Sequence, residues 1–185
     1  EYLSFYDLIG ADSDAAYILI DDTEYEPYTM NQTMDQYINS KLNSDYTIKL
    51  QEQAVDDAEF NKNYLSISST NATSATNENA YDTAKRSLKT AKDSKTLAIQ
   101  NAYNTILSLE SQHESARTAL SQAEAAYRVA QINLEAGNTT AITVEQAKLA
   151  VEQAENAVRQ LEYAHDMQIY QFENTELLSS SGSAQ

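Results

Sequence analysis

Apolar and small residues recur along residues 78–178 in steps of four and three. One series runs Ala102, Ile106, Leu109, Ala116, Leu120, Ala123, Tyr127, Ala130 and Leu134, with His113 filling its one gap. A second series follows Gly137: Val144, Ala147, Val151, Ala154, Val158, Leu161, His165, Gln168 and Phe172. This spacing is the heptad seam of a coiled coil. In an antiparallel hairpin, facing residues have numbers with a constant sum. Leu134 with Val144, Ala130 with Ala147, Leu120 with Val158, His113 with His165 and Ile106 with Phe172 all add to 277 or 278. Large pairs alternate with alanine pairs, so the backbones approach toward the short end of the roughly 8–10 Å axial separation.

The rest of the chain is read around this hairpin. Met34, Ile38, Leu42, Tyr46, Leu50, Ala54 and Ala58 fall every fourth residue and predict a helix over about 33–66. Such a row drifts about 40° per step around a helix of 3.6 residues per turn, so this helix must touch more than one neighbour. Ser66 to Asn77 is rich in Ser, Thr and Asn and is expected to be a loop. Thr76 or Asn77 would cap the next helix, over about 78–136. Gly137 suits a left-handed C-cap, and the tip turn is expected over 137–143. Thr143 would cap the return helix, 144–178, with Gln146 closing a capping box and Ile142 and Ala147 forming a hydrophobic staple. Residues 1–32 read as the end of a preceding helix, closed by Gly10, and an acidic connector. Residues 179–185 read as a disordered tail. The fold class predicted is all-α: an elongated antiparallel coiled-coil hairpin plus a further long helix.

Composition agrees with thin packing. The chain has 185 residues, one proline, three glycines and no tryptophan, and 18 alanines lie between Ala80 and Ala164, so closely packed coiled coils are favoured over a thick core. The net charge of −16 argues against nucleic acid and against an anionic membrane surface. Absent cysteine excludes disulfides, thiolate metal sites and a cysteine nucleophile. No apolar run approaches the roughly 18 residues of a membrane helix, so direct insertion by this chain is not expected. Lys85, Arg86, Lys89, Lys92 and Lys95 cluster within three turns. They read as solvated charge or as a docking surface for the acidic connector.

Two Glu-x-x-His pairs stand out, Glu110 with His113 and Glu162 with His165. This spacing puts both side chains on one helix face, and the hairpin register sets His113 opposite His165. Di-metal carboxylate bundles use two such pairs with one Glu from each of two further helices. Helix 33–66 offers Glu52, Asp56 or Glu59, but a fourth helix is lacking. A wet layer of facing histidines is the plainer reading, and it predicts loss of stability as pH falls through about 6, where two facing rings would both charge. No cofactor is expected, no nucleophile with a nearby base is evident, and catalysis is not predicted.

The run from Ala119 to Lys148, with Tyr127, Leu134, Gly137, Thr140, Thr143, Val144 and Ala147 at its marked places, resembles the TolC-type outer-membrane efflux proteins. Leu8-Ile9-Gly10 looks like the end of that family's preceding repeat. Tyr37 to Lys49 looks like its Asn-x-x-Leu helix, with Asn39 or Asn43 as the asparagine. The resemblance covers most of the chain, as the second of two structural repeats. It implies a trimeric helical tunnel in the full-length form and an extracytoplasmic address in the cell envelope, in the periplasm or on the outer face of the cytoplasmic membrane. It also implies a partner of the periplasmic-adaptor or membrane-fusion type, docked on the tip residues Gly137, Asn138, Thr139, Thr140 and Thr143. The sequence departs from the family pattern between its first two helices. About ten residues, Ser66 to Asn77, stand where the family inserts two membrane strands of about 9–11 residues each. The alternatives carried forward are a free-standing coiled-coil adaptor or scaffold and, as a minor one, a di-metal protein on Glu110, His113, Glu162 and His165.

Overall fold

The computed structural model describes the backbone of residues 25–65 and 71–182, and the side chains of 25–64 and 73–178. The expected helix end and most of the acidic connector, residues 1–24, lie outside the described residues. All regular structure among the described residues is helical. Four α-helices follow one another: α1, Met34–Ser44; α2, Tyr46–Phe60; α3, Asn71–Glu135; and α4, Ala141–Glu173. A π-helical turn, Asn61–Leu65, extends α2, and a 3-10 segment, Thr175–Gly182, extends α4.

The single helix expected over 33–66 is broken. Thr33 caps α1 with a full capping box: its hydroxyl accepts from the Gln36 N–H and the Gln36 side chain accepts from the Thr33 N–H. Asp45 then leaves the helical region at φ −67° and ψ 124°. Its carboxylate accepts from the Ile48 N–H at 3.1 Å, so one residue ends α1 and caps α2. The break resolves the drifting every-fourth row, because each short helix now aims its own apolar side. In α1 this buries Tyr37 and Ile38, and in α2 Ile48.

Residues 71–77 of the loop expected over Ser66–Asn77 are helical, so neither Thr76 nor Asn77 caps the helix. Helix α3 already begins at Asn71. No Gly or Pro interrupts this stretch, and weak helix formers are carried when a flanking helix continues through them. The Asn77 side-chain amide donates to the Asn61 carbonyl at 3.3 Å, and Lys62 pairs with Glu78 at 3.3 Å, tying the start of α3 to the π turn. At the other end, the tail expected to be disordered from 179 is a continuing 3-10 backbone as far as Gly182.

Helix α3 has 65 residues, about 97 Å at 1.5 Å per residue, while α4 has 33, about 50 Å. Helix α4 therefore covers only the C-terminal half of α3. Helix α2 runs antiparallel along the N-terminal half, where Lys92 meets Glu52 at 2.7 Å. The main buried cluster lies where these partners meet, around the middle of α3. It joins Tyr37 and Ile38 of α1 to Ile99, Ala102 and Ile106 of α3 and to Phe172 of α4. Phe172, Ile99 and Ile106 are fully enclosed. The Tyr37 ring stacks on Phe172 at 4.6 Å and 9°, and its hydroxyl donates to the Phe172 carbonyl at 2.7 Å. No described helix is long and apolar enough to cross a membrane.

Candidate functional site

Two places carry the residues singled out in the sequence. The first is the turn between α3 and α4. Gly137 adopts φ +73°, the left-handed region that favours glycine. The Asn138 N–H donates to the Asn133 carbonyl at 2.8 Å, and the Gly137 N–H to Leu134 at 3.0 Å. That pair of bonds is the Schellman closure of a helix. The return helix starts earlier than expected. Thr140, at φ −103° and ψ 156°, is its cap and accepts from the Thr143 N–H. Thr143 lies inside the first turn, its hydroxyl 3.0 Å from that of Thr140. The capping role expected of Thr143 thus belongs to Thr140. The expected Ile142 staple does not form either, since Ile142 is 71% exposed. Gly137, Asn138, Thr140 and Thr143 are exposed, Thr139 is half-buried, and no residue from Ala136 to Thr143 is charged.

The second place is the histidine layer. His113 and His165 are both buried, on the facing seams where the register puts them. The Glu-x-x-His pairs do not act as units. Residues three apart on a helix point about 60° from each other, so each His enters the seam while its Glu sits on the flank. Each carboxylate then reaches the other helix. His113 Nε2 lies 3.0 Å from Glu162, and His165 Nε2 lies 3.4 Å from Glu110. Each imidazole thus has a carboxylate of the opposite helix beside it. His165 Nδ1 is buried without a hydrogen bond, although Asp166 stands 3.5 Å away in poor alignment.

With both Nε2 atoms turned to carboxylates, the four residues do not converge on a common point. Among the described residues no group of three or more His, Asp or Glu side chains is arranged to hold a metal ion. Glu52 pairs with Lys92, so that candidate third ligand is spent on an ion pair.

Two tyrosines of the connector complete the layer. Tyr25 stacks on His113 with centroids 3.7 Å apart and lies 5.0 Å from His165. The Tyr28 N–H donates to Glu110 at 2.7 Å. Burial, then the nearby Glu110, Glu114 and Glu162 carboxylates, pushes the Tyr25 phenol up. The sequence reading missed both tyrosines. The available signal was aromatic residues flanking Glu26-Pro27, a rigid kink in an otherwise acidic stretch.

Within the basic cluster Lys85, Arg86 and Lys89 are exposed, in keeping with solvated charge, while Lys92 pairs with Glu52. Lys95 is buried, donating to the Thr175 carbonyl at 2.6 Å and pairing with Asp45 at 2.8 Å. Burial alone would raise the Asp45 carboxyl, but the Lys95 hydrogen bond, the Ile48 N–H and the Lys95 charge outweigh it and hold it below its ordinary value.

Comparisons with protein-family models, with curated proteins and with solved structures found no match to this chain.

Proposed function

We propose that this chain is a non-catalytic, TolC-like component of a cell-envelope export system, whose helical hairpin presents its turn to an adaptor protein. The observation that carries this reading is the tip. A charge-free turn, fixed by Gly137 at φ +73° and by the Thr140 cap, stands at the end of two seams in heptad register. It joins the resemblance of the Ala119–Lys148 run. A turn of this kind offers hydroxyl, amide and methyl groups on a rigid base. That suits packing against another helical hairpin end, where charged side chains would have to be desolvated. On this reading the full-length protein acts as a homotrimer outside the cytoplasm.

The test is photo-crosslinking from Asn138 and Thr139 in the native host, with partners identified by mass spectrometry. Capture of an adaptor-type protein with its own coiled-coil hairpin is expected. Cross-links that return only to this chain, or that reach only proteins of another type, overturn the reading.

A further inference from the structure

The last four carbonyls of α4, those of Tyr170 to Glu173, have no acceptor role left inside the helix. No glycine closes this end. Asn174 stops the helix at φ −103° and ψ 74°, outside the left-handed region. The Tyr170 carbonyl is met locally, by the Asn174 N–H at 3.0 Å and the Asn174 side-chain amide at 2.8 Å. The carbonyls that follow are met from other helices. The Tyr37 hydroxyl of α1 donates to Phe172 at 2.7 Å, the Lys41 ammonium of α1 donates to Glu173, and the Lys95 ammonium of α3 donates to Thr175 at 2.6 Å. Two of these donors are cations, set at the negative end of the α4 dipole. Helices α1 and α3 together form a seat for the end of α4.

The seat is joined to the bend between α1 and α2. Tyr37 and Lys41 lie on α1 itself. Lys95 pairs with Asp45, whose carboxylate accepts from the Ile48 and Thr47 N–H groups and so caps α2. Little besides this arrangement keeps the chain bent. No Gly or Pro lies between Pro27 and Gly137. The helical ladder already reaches Asp45 from both sides. Its N–H donates to the Lys41 carbonyl at 3.0 Å, and its carbonyl accepts from the Lys49 N–H at 3.1 Å. Tyr46, Thr47 and Ile48 open α2, so their N–H groups have no helical acceptor four residues back. Turning Asp45 from ψ 124° to the helical value of about −42° would give them the carbonyls of Leu42, Asn43 and Ser44.

The side chains are also compatible with a straight helix. Met34, Ile38, Leu42, Tyr46, Leu50 and Ala54 keep one every-fourth row through the bend. Ile38 is 6% exposed, whereas Tyr46 and Leu50 are 74% and 45% exposed. The bend strands the second half of a row whose first half is buried. We infer that the bend at Asp45 is one of two states of a joint, and that the end of α4 selects between them. With residues 172–175 seated, Lys95 is fixed beside Asp45, α1 is fixed on Phe172, and Asp45 caps α2. With them unseated, Tyr37, Lys41 and Lys95 lose their acceptors, and Met34 to Phe60 closes into one helix. The coupling is reciprocal, so straightening the joint weakens the hold on the end of α4. Nothing in this inference depends on the export reading.

Asn174→Pro tests it from the α4 side and leaves residues 34–60 unaltered. Proline removes the N–H given to Tyr170 and drives Glu173 out of the helical region, so the carbonyls of Glu173 and Thr175 leave the seat. The readout is amide hydrogen exchange resolved by residue. The Tyr46 amide should exchange about tenfold more slowly in the variant, because it gains the Leu42 carbonyl. Unchanged or faster exchange at Tyr46, the result if α1 and α2 merely loosen, overturns the proposal. Asp45→Ala is the reverse test, since it removes the cap and favours a continuous helix. The Leu177 N–H, which donates to Asn174 at 2.9 Å, should then exchange about tenfold faster. Exchange at Leu177 equal to that of the parent makes the joint and the α4 end independent, and also overturns it. Val158, buried in the seam away from the joint, should keep the parent's rate in both variants. A change there as large as at Tyr46 or Leu177 rules out a local coupling.

Discussion

The ammonium of Lys95 lies 2.8 Å from the carboxylate of Asp45, the residue that ends α1 and caps α2. The same ammonium holds the Thr175 carbonyl. One buried cation of α3 therefore ties together the start of α2 and the segment that follows α4. Both partners are almost enclosed, with side-chain exposures of 7% and 10%. Lys95→Met would leave Asp45 buried without its counter-charge, and the loss is expected to be about 3 kcal/mol. Urea denaturation measures it, and a change below about 1 kcal/mol would show that the pair is dispensable.

Asp45 also sets an acid limit. Its folded-state pKa is held below the ordinary value of 3.8. The folded state therefore binds this proton less readily than the unfolded one. The contribution is present above that value and is lost as pH falls through the lower folded value. Asp45→Asn should flatten the acid limb of stability against pH. A variant with the parent's acid limb would refute the assignment.

An opposite sign holds for Tyr37. Burial, followed by Tyr28 and Glu173, raises its phenol from 10.0 to about 12. The folded state keeps the proton that the unfolded state releases first. Stability from this group is complete below about 10 and is lost as pH rises to about 12. Tyr37→Phe keeps the ring stack on Phe172 but leaves that carbonyl without its donor. We expect a loss of about 1–2 kcal/mol at neutral pH and a weaker alkaline decline, read by chemical denaturation across the alkaline range.

Gly137 is needed for its backbone and not for its size. A Cβ placed there meets nothing within 4 Å. Gly137→Ala should cost about 1–2 kcal/mol through the left-handed conformation alone, and Gly137→Asn less, because asparagine tolerates that region. Thermal melts rank the three, and an alanine variant as stable as the parent would contradict the turn geometry.

The crossed pairs invite a double-mutant cycle. His113→Leu with Glu162→Gln should show a coupling of about 0.5–1.5 kcal/mol. A coupling near zero would mean that the 3.0 Å contact carries no energy.

How much of this was legible follows from the range of each interaction. The seams from Ala102 to Leu134 and from Val144 to Phe172 were readable because heptad spacing is local and two matched seams state their own register. The break at Asp45 was hidden because Leu42, Tyr46 and Leu50 continue one apparent row across it. Thr143 was read as the cap because Gln146 follows it three residues later, but Thr140 has the same hydroxyl and its own N3 residue, Thr143, so α4 starts three residues sooner. The crossing of Glu110 and Glu162 followed from a 60° angular offset that a string match ignores. Tyr28 meets Glu110 across 82 positions of sequence, and nothing periodic in the connector announces such a contact.

The unequal lengths of α3 and α4 have a mechanical consequence. The end of α4 and the start of α2 fall side by side against the middle of α3, where α3 itself is unbroken. Masons lay bricks in the same way, so that no joint runs through two courses. A bending load at this joint is carried by one continuous helix, and Lys95, Ile99 and Phe172 act as its dowels.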